Sequence, residues 1–217
     1  MARQRGFTLV EVMVALSIMA LMGSMSWVGL SALLESRERT HSKSVDNAQL
    51  QIALTQWAND LDQAWMPEAT QPMGWDGKAF RLTRRAQSLA QGVVVIAWAV
   101  RAGEQGGQWM RWQSQPVSTV AQWRHAWEQA ANWARGAQDT LAVSLMPATS
   151  ADVYLWQGQT WVNAQSSQAS SALVPSGATP GASTVTQQPG GVRLVVHTRA
   201  GDVTKDWVSP MWSESRS

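Results

Sequence analysis

The chain has 217 residues, of which 45% are hydrophobic and 15% are charged, below the roughly 25% of charged residues in an average globular domain. It contains no cysteine, which excludes disulfide bonds, zinc–thiolate sites and cysteine nucleophiles. Arg3 and Arg5, ahead of an apolar run, account for the net charge of +2, so the charge balance gives no sign of a nucleic-acid partner.

The first predicted element is an apolar segment, Phe7 to Leu34, whose single charged residue is Glu11. This segment exceeds the roughly 20 residues that a helix needs to span a bilayer. A cleaved secretory signal has a shorter apolar core, of about 7–15 residues. A plain signal anchor fits the hydropathy, but it does not explain a carboxylate in hydrocarbon, which is costly unless it is paired. Arg3 and Arg5 predict a cytoplasmic N-terminus, with the rest of the chain across the membrane.

Helical periodicity continues past the apolar segment. Apolar residues recur every three or four positions at Leu50, Leu54, Trp57, Leu61 and Ala64. This spacing predicts that residues 35–66 form an amphipathic continuation of the same helix, which Pro67 ends. A bend or break near the charged residues 35–43 stays open at this point.

The remaining residues, 67–217, predict a mostly β domain. Residues 74–78 predict a turn, and the apolar spacing at 120–134 predicts one short amphipathic helix. Strands are predicted where β-branched and aromatic residues cluster between turn signals, at Val93–Val100, Trp109–Gln113, Leu141–Leu145, Asp152–Trp156, Thr160–Val162, Val192–His197 and Val203–Val208. The chain has 14 tryptophans, all but Trp27 beyond the apolar segment, and they are expected to supply the bulk of the core.

Residues 164–191 are rich in Ser, Ala, Thr, Gln, Gly and Pro. A segment of this composition buries little apolar area, so it predicts a flexible loop. A loop that contacts a partner is the functional alternative.

The N-terminus resembles a known processing site. The run Gly6-Phe7-Thr8-Leu9-Val10-Glu11 is similar to the prepilin-type motif shared by type IV pilins and type II secretion pseudopilins. The resemblance implies cleavage after Gly6 by the prepilin peptidase and N-methylation of Phe7. It also implies that Glu11 pairs with the terminal amine of a neighbouring subunit during filament assembly. Major subunits carry a proline near the middle of this helix; its absence here favours a minor subunit.

A second resemblance concerns the helix beyond the membrane segment. Residues 29–34, 37–39 and 56–64 are similar to the helix of the minor pseudopilin J family of type II secretion systems. The resemblance implies an α+β, pilin-like fold in which a long N-terminal helix packs on an antiparallel β-sheet domain. It implies a single-pass protein of the bacterial inner membrane with its C-terminal domain in the periplasm. It also implies a hetero-oligomer with pseudopilin components I and K, and leaves components H and G open.

The sequence shows little sign of catalytic chemistry. The three histidines, His41, His125 and His197, lack metal-ligand spacing, and no nucleotide-binding or hydrolase motif is present, so we expect no enzyme, metal or cofactor. Asp60 and Asp62 point to different faces of the helix, which favours a solvated helix face over an acid–base pair.

Three functional hypotheses remain. They are a type II secretion minor pseudopilin, a minor type IV pilin that serves pilus assembly or DNA uptake, and an unrelated signal-anchored periplasmic protein or enzyme. A DNA-binding protein should show a basic stripe with exposed aromatic residues. Arg81, Arg84 and Arg85 form only a small cluster, which is interpreted as a solvated patch.

Overall fold

A computed structural model describes residues 8–65, 70, 73–86, 92–103, 106–157, 159–165 and 189–209. The chain divides into two compact units, Met1–Ala48 and Gln49–Ser217. Of the predicted loop, residues 166–188 lie outside the described residues. Ala164, at the start of that loop, is buried, and Gly191, at its end, is the first residue of a strand.

The first element is helix α1, Leu9–Asp62, which belongs to both units. Thr8 begins it, because the Thr8 carbonyl oxygen accepts from the backbone N–H of Glu11 at 3.1 Å. The helix runs without a break through residues 35–43, so the break left open by the sequence is not present. No proline interrupts the turns between Thr8 and Trp65.

A five-stranded antiparallel sheet lies in the second unit. Its strands, in sheet order, are β1 Met73–Trp75, β2 Ala79–Arg85, β3 Val93–Gly103, β4 Gly106–Gln113 and β5 Ala142–Pro147. Each strand pairs with its neighbour along the chain, and a register shift between Trp109 and Met110 marks an irregularity where β4 pairs with β5.

A four-stranded antiparallel sheet completes the second unit. Its strands are β6 Ser150–Gln157, β7 Thr160–Asn163, β8 Gly191–Thr198 and β9 Gly201–Val208. The sheet order is β7-β6-β8-β9, so β6 pairs with both β7 and β8.

The main core lies between the C-terminal turns of α1 and both sheets. Trp57 and Leu61 of the helix contribute to it. Alternate residues of β3, such as Ile96 and Trp98, face this core, because successive side chains of a strand point to opposite sides of the sheet. Trp207 of β9 closes the core from the four-stranded sheet. The predicted helical stripe is confirmed at Trp57 and Leu61.

The other face of the five-stranded sheet is covered by helix α2, Val120–Ala134. Thr119 begins this helix with a capping box, in which Thr119 and Gln122 each accept a hydrogen bond from the other's backbone N–H. Trp123, Trp127 and Trp133 pack from α2 against the remaining alternate residues of β3. The prediction that tryptophans fill the core is therefore confirmed on both faces of this sheet.

The structure confirms the α+β class, with a long N-terminal helix followed by antiparallel sheets. The predicted short helix and the seven predicted strands are all present, most of them longer by one to three residues. The predicted turn at 74–78 is partly wrong, because Gly74 and Trp75 belong to β1 and only residues 76–78 turn. Strand β2 is an addition that the sequence did not predict.

Candidate functional site

The surface of the first unit is dominated by the apolar part of α1. Every described residue from Leu9 to Leu34 is exposed, and Leu9 and Trp27 retain 76% and 71% of their surface. Apolar side chains lie all round this stretch, which is typical of a helix surrounded by lipid or by other helices. The stretch is also long and apolar enough to cross a membrane. At about 1.5 Å per residue it exceeds the roughly 30 Å of a hydrocarbon core.

The serine hydroxyls of this stretch bond to its own backbone. Ser17 donates to the carbonyl oxygen of Met13 at 2.8 Å, and Ser26 donates to that of Met22 at 2.8 Å. Ser24 and Ser31 bond in the same way to carbonyls three or four residues earlier. Local bonds of this kind satisfy a hydroxyl without a partner from outside the helix. The serines therefore leave the segment compatible with an apolar environment.

Glu11 is the single ionisable residue between Leu9 and Leu34. It lies in the first helical turn, where the backbone N–H of Glu11 is 3.4 Å from the hydroxyl oxygen of Thr8. Within the described part of the chain, its carboxylate forms no ion pair. A carboxylate in hydrocarbon needs a cation or a proton to be tolerated.

The predicted cleavage and methylation residues, Gly6 and Phe7, lie outside the described residues. Thr8, the first described residue, already caps α1, so the helix starts two positions after the predicted cleavage site. A new N-terminus at Phe7 would lie four residues before Glu11 in the sequence.

Comparison with known families agrees with this reading of the N-terminus. Residues 1–27 match the family described as Prokaryotic N-terminal methylation motif. No curated protein matches the chain. The chain carries a prepilin-type N-terminus. This motif, the exposed apolar helix and the antiparallel sheets support a pilin-like protein with a candidate membrane anchor.

The second unit contains a buried ionic cluster around Asp60, whose exposure is 0%. Its carboxylate accepts from Arg111 Nε at 2.7 Å and Nη2 at 2.9 Å, from Arg84 Nη1 at 2.9 Å and from Trp98 Nε1 at 3.0 Å. Gln56 adds a weaker contact one helical turn earlier, at 3.2 Å. One carboxylate of α1 is thus bound to three neighbouring strands, β2, β3 and β4.

The interpretation of Asp60 as a solvated residue is therefore wrong. It shares the buried face of α1 with Trp57 and Leu61, and its charge is tolerated because two guanidinium groups and an indole N–H surround it. Asp62 does point elsewhere, as predicted: it is exposed and accepts from Trp207 Nε1 at 2.7 Å.

The interpretation of the arginines as a solvated patch is wrong for two of the three. The side chain of Arg84 keeps 12% of its exposure beside Asp60, and burial lowers the pKa of Arg84 against the opposing effect of that carboxylate. Arg81 pairs with Asp76 at 3.1 Å, and burial lowers the pKa of Arg81 as well. Arg85 is exposed, with its guanidinium 4.6 Å from the ring centre of Trp65.

The sequence held a signal for these burials. Phe80, Leu82 and Arg84 alternate along β2, so Arg84 points to the same core as the two apolar residues. Asp60 follows Trp57 by three residues, the spacing that keeps two side chains on one helix face. Both signals are local, whereas the partners that neutralise the charges come from distant parts of the chain.

The histidines are placed apart. His41 lies on α1 and His125 on α2, both exposed. His197 on β8 lies between Asp152 of β6 and Asp202 of β9. Across the described ranges, no group of three or more acidic, histidine or cysteine side chains could hold a metal ion.

Proposed function

We propose that this protein is a minor pseudopilin of a type II secretion system, which assembles with other minor pseudopilins at the tip of a periplasmic pseudopilus and supports protein export across the outer membrane. The observation that carries the proposal is Glu11, the lone charge of an apolar helix that follows a prepilin-type N-terminus. The proposed role is one of assembly and not of catalysis.

The processing step comes first in this proposal. The prepilin peptidase cleaves after Gly6, where a residue without a side chain leaves the backbone accessible, and Phe7 becomes the N-methylated terminus. Arg3 and Arg5 keep the leader in the cytoplasm, so the single span of α1 crosses the inner membrane and the second unit enters the periplasm.

The assembly step follows from the charge of Glu11. Its carboxylate pairs with the cationic amine of Phe7 on a neighbouring subunit, because two charges that are costly alone in an apolar layer are tolerated together. At about 4 Å and an effective dielectric constant near 20, the Coulomb attraction within such a pair is roughly 4 kcal/mol, which offsets the cost of removing the two charges from water. The pairing fixes the axial position of one subunit against the next without a binding pocket.

Three observations support a minor subunit in particular. The helix has no proline near Trp27–Gly29, where major subunits of the resembled families carry one, and α1 runs through this point unbroken. The sequences at 29–34, 37–39 and 56–64 resemble pseudopilin J. The proposed partners are therefore components I and K, with H and G as further candidates in the same hetero-oligomer.

Intact mass of the protein from membranes tests the processing step. We expect the mass of residues 7–217 with one added methyl group in cells that contain the peptidase, and the mass of the full chain in cells that lack it. Residues 1–6 still attached in the presence of an active peptidase would reject the pilin-like role altogether.

The assembly step is tested by Glu11→Gln, with Glu38→Gln as the matched control on the same helix. Glu11→Gln removes the charge and keeps the shape, so we expect normal processing and a normally folded second unit but reduced co-purification with components I and K. Glu38 is exposed beyond the apolar segment, and its variant should behave as wild type. Equal co-purification of both variants would contradict the pairing.

A gene deletion separates the two pilus-type roles, since the prepilin motif is common to both. We expect loss of a secreted enzyme from the culture medium and its return when the wild-type gene is restored. Normal secretion together with lost pili or lost DNA uptake would instead identify a minor type IV pilin.

A further inference from the structure

The outer face of the four-stranded sheet carries a three-residue cluster that the assembly role does not use. His197 on β8 stands directly opposite Asp202 on β9, and its Nδ1 is 2.7 Å from Asp202 Oδ1. Its Nε2 is 3.0 Å from Asp152 Oδ2, on β6 at the other side of β8. One imidazole ring therefore bridges three adjacent strands.

Both contacts require a proton on the ring. Carboxylate oxygens only accept hydrogen bonds, and a neutral imidazole has one N–H, so only the imidazolium ion can donate to both carboxylates at once. Asp152 and Asp202 keep 44% and 62% of their side-chain exposure, so water stabilises their charged forms and the proton resides on the ring. The hydrogen bonds that the ring donates to Asp202 and then to Asp152 raise the pKa of His197, against a smaller effect of burial.

The two carboxylates cannot bind an ion together at this position. They contact different ring nitrogens, whose N–H bonds diverge, and the described residues hold no group of three acidic, histidine or cysteine side chains that could bind a metal ion. A titrating contact is thus the chemistry that this geometry supports.

The other charges of the sheet leave the cluster isolated. Arg193 lies on the same face four residues earlier on β8, but it is paired with Asp206 through two contacts of 2.7 Å. Lys205 follows Asp202 by three residues, so its side chain points to the opposite face of β9. The charged groups that face His197 from β6 and β9 are therefore Asp152 and Asp202, and Arg199 follows in the turn after β8.

We propose that His197, Asp152 and Asp202 form a proton-dependent clasp that holds the turn between β8 and β9 against β6. The clasp is closed while the ring carries two protons. When the ring loses one, a nitrogen lone pair faces a carboxylate, one hydrogen bond is lost and two like charges remain without a cation between them. The turn at residues 198–201 then loosens as the pH rises. This inference goes beyond the assembly role and does not depend on it.

The chain offers its own references for the test. His41 on α1 and His125 on α2 are both exposed, so they serve as the reference histidines in the same sample. NMR titration of ring-labelled full chain in non-ionic detergent should show His197 deprotonating at a higher pH than both. In the same titration, amide-exchange protection of residues 198–202 should fall as His197 deprotonates.

Matched variants decide the cause. Asp152→Asn with Asp202→Asn should abolish the difference between His197 and the two reference histidines, while Asp46→Asn, an exposed residue of α1, should leave it intact. His197→Gln should remove the pH dependence of protection in the turn. The proposal is overturned if wild-type His197 titrates with or below the references, or if turn protection is equally pH-dependent in His197→Gln.

Discussion

Replacing Asp60 by asparagine tests whether its charge holds α1 on the five-stranded sheet. The substitution keeps the shape but replaces a carboxylate oxygen by an N–H donor that faces Arg84 and Arg111, themselves donors. Removing one partner of a buried ion pair costs about 3–5 kcal/mol. The two arginine side chains keep 12% and 15% of their exposure, so water offsets part of the loss and we expect a loss of about 3 kcal/mol.

The measurement is urea unfolding of the full chain in non-ionic detergent, followed by tryptophan fluorescence. With a slope of about 2 kcal/mol per molar urea, a loss of about 3 kcal/mol lowers the midpoint by about 1.5 M. Trp57 and Trp98 lie beside the substituted residue in the core and report its unfolding directly.

Asp62→Asn is the matched control, with the same chemical change two residues later. Asp62 is exposed, and an asparagine oxygen can still accept from Trp207, so the expected loss is under about 1 kcal/mol. If Asp60→Asn and Asp62→Asn shift the midpoint equally, the charge of Asp60 does not hold the helix in place. We expect a double-mutant cycle of Asp60→Asn with Arg111→Met to show a clear coupling free energy between the two residues. The absence of coupling would also contradict the role of the Asp60 charge.

Two further substitutions probe other contacts of the second unit. Gly107→Ala should destabilise it by more than about 2 kcal/mol in the same urea assay, because the new Cβ would lie 2.1 Å from the backbone oxygen of Ala148; unchanged stability would show that the strand can shift freely. The hydrogen bond from Arg193 lowers the pKa of Asp206. The pair therefore stabilises the fold fully at a pH above the ordinary aspartate pKa, and this stabilisation is lost as the pH falls through the lowered pKa. Asp206→Asn should therefore reduce the difference in the free energy of unfolding between neutral and acidic pH. An unchanged pH dependence of that free energy on the acidic side would contradict this role of the pair.

The elements that the sequence predicted correctly have local causes. Helix α2 follows from the spacing of its tryptophans, and β3 follows from an unbroken apolar run. Strand β2 was missed because three arginines among its seven residues obscure the alternation of Phe80 and Leu82. Arg81 and Arg84 fit this sheet through Asp76 and Asp60, whose positions depend on the folded chain.

The candidate functional residues show the same contrast between local signals and partners that are distant in sequence. The prepilin-type N-terminus is a contiguous motif, so its recognition needs no structure. The partner proposed for Glu11 belongs to another molecule, and no pattern within one chain can place it. In the sequence, His197 is 45 positions from Asp152 and 5 positions from Asp202. The cluster therefore forms only once β6, β8 and β9 lie side by side.

The serine hydroxyls of α1 bear on how easily this helix changes surroundings. Because Ser17, Ser24, Ser26 and Ser31 donate to carbonyls of their own helix, the same hydrogen bonds persist in lipid and among packed helices. Transfer from one apolar medium to another then breaks no hydrogen bond of these side chains, and the free-energy difference rests on packing and on Glu11. The hydroxyls of these four serines therefore add no hydrogen-bonding cost to such a transfer.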